Sequence, residues 1–365
     1  MAQPRPLTQK ERLRWARAGV LGALAIVLGY LETYVPIPIP GVKLGLANIA
    51  VLIALSQGER ATAVAVAAIK VLASGLLFGN PVTMAYSAAG TALSLVVMLP
   101  LSRLKTLHLA MLSMAGAVAH EAGQLLVAQL ILGTPLVWYS APVLLMAAVA
   151  CGALSGAVAA RTATFVQVSP ADSSEHLLTG AQGTDATPAG AQSKALVVLF
   201  LVFVIVAFRV RGLTLPAVLA AASLAACALL HVDPSALLRA LRPMLLILVI
   251  TLVAQLVSLP PEEALKEAAT MALRLASITA AGVAVATAIP REQVKGLAQW
   301  ILSPASALGA NTDGPVLALD VAMRFVPVLA QRLKQTVVEK SLRLTDRALW
   351  TDVLPSVVAD LYGRI

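Results

Sequence analysis

The sequence predicts an all-α polytopic membrane protein, and three observations carry that prediction. Of its 365 residues, 59% are hydrophobic and 12% charged, about half the charged share typical of soluble proteins. Apolar runs of roughly 18 to 20 residues, the length that crosses a hydrocarbon core, recur along the chain. The basic residues behind its net charge of +9 sit in short segments between those runs, as topology signals do. They form no nucleic-acid patch. Cys151 and Cys227 both fall inside apolar runs, where packing is expected rather than a disulfide or metal pair.

Taken in order, spans are expected at about 17–33, 44–57, 61–78, 83–101, 109–132 and 136–160. The first lacks the small-residue cleavage pattern of a signal peptide and is expected to be retained. Arg5, Lys10, Arg12, Arg14 and Arg17 hold the amino terminus in the cytoplasm. Counting onward puts Arg60, Arg103, Lys105 and Arg161 on the same side, and the uncharged loops at 79–81 and 133–135 on the other.

Residues 166–194 are dominated by Ser, Gly, Thr, Ala, Asp and Pro. Such a segment buries too little apolar area to fold alone and reads as a cytoplasmic linker. It separates a module at 1–165 from a second at 195–365, whose spans are expected near 195–208, 213–230, 243–259 and 268–289. Arg209 and Arg211 fall on the outer side, against the positive-inside pattern. Residues 292–302, EQVKGLAQWIL, suit an amphipathic helix at the membrane face. From 316 to 343, Leu319, Met323, Val326, Ala330, Leu333 and Val337 form one apolar stripe, with Arg324, Gln331, Arg332, Lys334, Gln335 and Lys340 elsewhere. That pattern suits gripping a partner or capping a bundle. Pro327 is expected to bend or break this helix.

Soluble-enzyme signatures are missing. The sequence has no G-x-x-x-x-G-K-[ST] phosphate loop, no D-D-x-x-D cluster to hold magnesium against a diphosphate, and no Cys/His spacing for zinc. No catalytic residue, metal site or covalently bound cofactor is expected. Attention passes to polar residues within spans: Lys70, His120 and Glu121. A charge at mid-bilayer costs about 2.5–3.5 kcal/mol, so such groups face the interior and have partners. Lys70 and Glu121, at similar depth, are expected to pair; His120 and Gln124 share a helical face. The group is either a polar clamp or a ligand pocket with Lys70 open to an anion. Asn48, Asn80 and Tyr86 are further pocket candidates, or ordinary interhelical hydrogen bonds.

Three motifs in order, PIPGVKLGLANI (38–49), LLFGNPVTMAYSAAGTALS (76–94) and GAVAHEAGQLLVA (116–128), resemble the Gx transporter family over about 17–160. That family is also catalogued as heptaprenyl diphosphate synthase component I. Glu121 stands where such proteins often carry Asn. The resemblance implies a six-helix bundle like the substrate-binding S components of energy-coupling factor (ECF) transporters, in a bacterial inner membrane. Residues 36–45 would then be an outer loop covering the pocket, stiffened by prolines and turned at Gly41. Lys43 would stand at the pocket mouth, or anchor a helix end at the headgroups. Ala18, Gly19, Gly22 and Ala23 form a small-residue face of the kind S components use to dock.

The second module resembles a transporter T component through LRPMLLILVITLVAQL (241–256), TAIPREQVKGLAQWILSPASALG (287–309) and ALDVAMRFVPVLAQRLKQ (318–335). Residues 339–347, EKSLRLTDR, replace the Ala-Arg-Gly segment, and a final span is missing. The resemblance implies partner ATPase subunits that alone use ATP, coupled through Arg324, Arg332 and Lys334. A small molecule and membrane lipid complete the expected partners; nucleic acid is not among them. Three functions follow: a fused S–T importer subunit for a cofactor-like or isoprenoid-related molecule, a membrane component of a polyprenyl diphosphate synthase, or a scaffold of a flavin- or quinone-linked redox complex.

Overall fold

The computed structural model describes residues 7–32, 43–78, 81–104, 106–132, 135–167, 188–209, 212–307, 312–339, 352–353 and 356. All regular structure among the described residues is helical. Helix α1 (Gln9–Glu32) opens on a reciprocal cap, in which the Glu11 backbone N–H donates to Thr8 Oγ1 at 3.3 Å and the Thr8 N–H to Glu11 Oε2 at 2.8 Å. There follow α2 (Asn48–Ser56), α3 (Arg60–Phe78), α4 (Pro81–Leu101), α5 (Leu109–Leu132), a 3-10 turn at Pro135–Ser140 and α6 (Ala141–Gln167). The second half contributes α7 (Ala191–Arg209), α8 (Thr214–Leu229), α9 (Pro234–Ser258), α10 (Pro261–Ala288), α11 (Val294–Ala307) and α12 (Asp313–Glu339). Four described segments, Gln9–Glu32, Met84–Leu101, Val137–Thr164 and Pro261–Ala288, are long and apolar enough to cross a membrane. The protein is a multi-pass α-helical membrane protein.

Several expectations need correction. The span expected at 44–57 is the nine-residue α2, about 14 Å long at 1.5 Å per residue and too short to cross. Residues Ile49–Leu55 are all buried, because α2 lies between α1, α3 and α6 instead of facing lipid. Helix α9 begins nine residues before the expected 243, since Asp233 Oδ1 accepts the Ser235 N–H at 2.9 Å and Pro234 fits the first turn. Helix α10 begins at Pro261 rather than 268, with Glu262 and Glu263 in its favourable first turn. Pro327 does not break α12, which runs unbroken to Glu339. Its buried side includes Ala318, Leu319, Val321, Ala322, Leu329 and Leu333, while Ala330, assigned to the stripe, is exposed. A stripe with a strict 3.5-residue step drifts off a straight helix.

In the first bundle the helices meet backbone to backbone. A Cβ at Gly156 would lie 2.6 Å from the Ala110 Cα, one at Gly152 2.8 Å from the Met114 Cα, and one at Gly123 2.7 Å from the Ala89 carbonyl. These glycines let α5 press against α6 on one side and α4 on the other, the way helices associate where lipid removes the hydrophobic drive. The Ser113 and Ser155 hydroxyls bond across the α5–α6 contact at 3.0 Å. The second bundle is arranged around α10, which packs on α7, α8 and α9. Its Met271, Leu275 and Ile278 meet Phe200, Phe203, Val204 and Leu219, and the same cluster takes in Tyr86, Val127 and Ile131 of the first bundle.

The longest junction between the halves is α1 on α12. Gly314 lies against the Trp15 indole, and a Cβ at Gly19 would sit 2.5 Å from the Val321 Cβ and 2.6 Å from the Ala318 carbonyl. Contacts that advance along both chains together mean that the two helices run in the same direction. Beyond the linker, Gln293 Oε1 accepts the Gly190 N–H at 2.9 Å and the Ser193 hydroxyl at 2.8 Å, which fixes the start of α7 to the elbow between α10 and α11.

Candidate functional site

The polar residues of the first bundle gather at the end of it where α1 finishes and residues 43–47 lead into α2. At the opposite end, Arg17 pairs with Glu59 at 3.5 Å, and Thr62 donates to Glu59 at 2.7 Å. Lys43 is exposed, and its charge acts on Glu32, Lys70, His120 and Glu121. These groups are drawn from α1, α3, α5 and the turn before α2, which belong to one packed bundle. Lys70 is half-buried in α3 and Glu121 is buried in α5.

The expected Lys70–Glu121 ion pair is not formed among the described residues; the carboxylate whose field reaches Lys70 belongs to Glu32. Glu32 closes α1 and accepts the Gly45 backbone N–H at 2.8 Å. Gly45 has φ +74, a conformation suited to glycine, and nothing occupies the place of its missing side chain. Sequence reasoning overlooked Glu32, although a signal existed. An acid in the last turn of a helix opposes the helix dipole, so its presence asks for another reason.

His120 and Gln124 meet as their spacing predicts, with Nε2 atoms 3.1 Å apart. The imidazole lies directly over Gly90 of α4, where a Cβ would come within 2.8 Å of Nε2. Gly90 therefore makes room for the ring. Asn48 begins α2, half-buried beside this cluster, and its backbone N–H donates to the Gly45 carbonyl at 2.8 Å. Tyr86 does not join it: it packs against the apolar cluster that contains Met271 and Leu275 of α10, and its buried hydroxyl has no hydrogen-bond partner among the described residues. Asn80 and residues 36–42 lie outside the described residues.

Among the docking candidates, Ala18 and Gly19 are buried with Gly19 against α12, whereas Gly22 faces Ile69 of α3. Ala23 is fully buried in the same core. Of the coupling candidates, Arg324 is tied to Asp320 at 3.1 Å, and Asp320 also meets Lys295 of α11 at 3.6 Å. Arg332 is half-buried and Lys334 exposed. No group of three His, Cys, Asp or Glu among the described residues could hold a metal ion.

No curated protein and no solved structure matches the chain. Residues 21–162 match the family described as heptaprenyl diphosphate synthase component I. The family's description names one component of a synthase, and so implies a partner for the protein it was named after. The match takes in nearly all of the first bundle and ends before the linker. Over residues 21–162, less than half of the chain, the resemblance is to heptaprenyl diphosphate synthase component I, the family to which the three motifs pointed.

Proposed function

We propose that the chain is a fused S–T membrane subunit of an ECF-type importer. In this reading the first bundle binds a small acidic molecule, cofactor-like or isoprenoid-related, and the second passes on movement driven by separate ATPase subunits. The observation that carries the reading is the junction of α1 with α12. Small residues of a substrate-binding bundle lie along a helix that also carries the half-buried Arg332 and the exposed Lys334. Asp320 and Arg324 of α12 would be costly facing hydrocarbon, and they pair with each other at 3.1 Å, with Lys295 at 3.6 Å from Asp320. Lys43, Lys70, His120 and Gln124 receive the ligand's acidic group, with Asn48 at the margin and Glu121 opposite. The amino terminus is cytoplasmic and the membrane is the bacterial inner membrane.

A second reading, a membrane component of a polyprenyl diphosphate synthase, is favoured by the family match. Gentle solubilisation and native mass spectrometry of the complex separate the two. Recovery of ATPase subunits with the natural chain, and their ATP-dependent coupling lost in Gly19→Leu, is the result expected of an importer. Recovery of a prenyl synthase subunit instead would decide for the second reading, and recovery of redox proteins for a scaffold.

A further inference from the structure

His120 and Gln124 lie on the face of α5 that meets α4 most closely. A Cβ at Gly123 would come 2.9 Å from the Gly90 Cα, and one at Gly90 would meet Nε2, Cδ2 and Cε1 of His120 at 2.8 to 2.9 Å. The imidazole is thus seated on the α4 backbone by the edge that carries Nε2. The same Nε2 meets the side-chain nitrogen of Gln124 at 3.1 Å. An amide nitrogen only donates, so Nε2 must accept this bond. That places the ring proton on Nδ1 and excludes the imidazolium, in which both ring nitrogens donate. Nδ1 is not among the three ring atoms nearest Gly90. We propose that Gln124 and Gly90 are positioning residues that hold His120 as its neutral Nδ1–H tautomer, so that His120 offers the ligand a hydrogen bond and no charge. The proposal rests on the reading of this cluster as an anion site. Charge recognition then falls to Lys43 and Lys70, while His120 selects for an acceptor oxygen on the ligand's acidic group. Gln124 makes its contribution through the ring.

The tautomer is read from the full natural chain in detergent, labelled with 15N-histidine, because the nitrogen shift separates a ring N–H from a bare ring nitrogen. The chain has four histidines, and His120→Asn identifies the signals that belong to this one. A bare Nε2 and a protonated Nδ1 are expected. Gln124→Glu replaces the donor with an acceptor and should move the proton to Nε2, whereas Gln124→Met removes the bond and should leave a mixture of tautomers. A proton on Nε2 in the natural chain, or a proton unmoved by Gln124→Glu, overturns the lock. Calorimetric titration with inorganic diphosphate then reads recognition. Gln124→Met should bind about tenfold more weakly than the natural chain, as one misdirected hydrogen bond would cost. Undiminished binding in Gln124→Met, with binding lost in Lys70→Met, overturns the donor role and leaves the anion site standing. Binding indifferent to Lys70→Met, or absent from the natural chain, overturns the anion site and the donor role with it, while the nitrogen spectra still decide the lock.

Discussion

The two bundles hold together by opposite means. Between α4, α5 and α6 the backbones themselves touch, at Gly90, Gly123, Gly152 and Gly156, and a buried pair of serines bridges the contact. Around α10 the contacts are made by large side chains, Met271, Leu275 and Ile278 against Phe200, Phe203 and Leu219. Lipid tails are as apolar as leucine, so a helix pair gains from intimacy and interhelical hydrogen bonds rather than from hiding apolar area. The first bundle uses that route, and it carries Lys70, His120 and Glu121, whereas α10 of the second carries Arg274. That tight frame seats the His120 ring over Gly90 and keeps Glu121 buried.

The difference predicts opposite sensitivities. The largest effect is expected from enlarging Gly156: Leu at this position must push the α5 backbone away, at a cost on the order of 3 kcal/mol. The check is loss of the folded fraction in detergent, with Leu at the exposed Ala221 of α8 leaving it unchanged. Truncation should matter more in the second bundle, where Leu275→Ala opens a void and costs about 2 kcal/mol, seen as a lowered Tm. The smallest effect sharpens the comparison: Ser113→Ala removes one interhelical hydrogen bond, worth about 0.6 kcal/mol. A loss several times larger would mean that the α5–α6 contact depends on polar bonding more than on closeness.

Fold class was legible because hydrophobic content and run length answer directly to the bilayer. Boundaries were less so. The α9 and α10 starts were missed although Asp233–Pro234 and Pro261–Glu262–Glu263 are ordinary helix openings; a hydropathy reading weights apolar runs and passes over polar first turns. The half-length α2 was read as a span because burial by protein and burial by lipid select the same residues. Within the candidate site, the i,i+4 pair His120–Gln124 followed from helical spacing alone. The partner of Lys70 did not, since matching two charges by depth ignores which faces meet. Glu32 was hidden by its place at the edge of an apolar run, and Tyr86 was misplaced because sequence says nothing about a seam between two bundles.

The bond from Gln293 to Gly190 and Ser193 has a practical consequence. The start of α7 is set by that anchor, while the halves are joined independently through α1 and α12. Cutting the anchor with Gln293→Ala should therefore free the first turn of α7 and leave the α1–α12 junction intact.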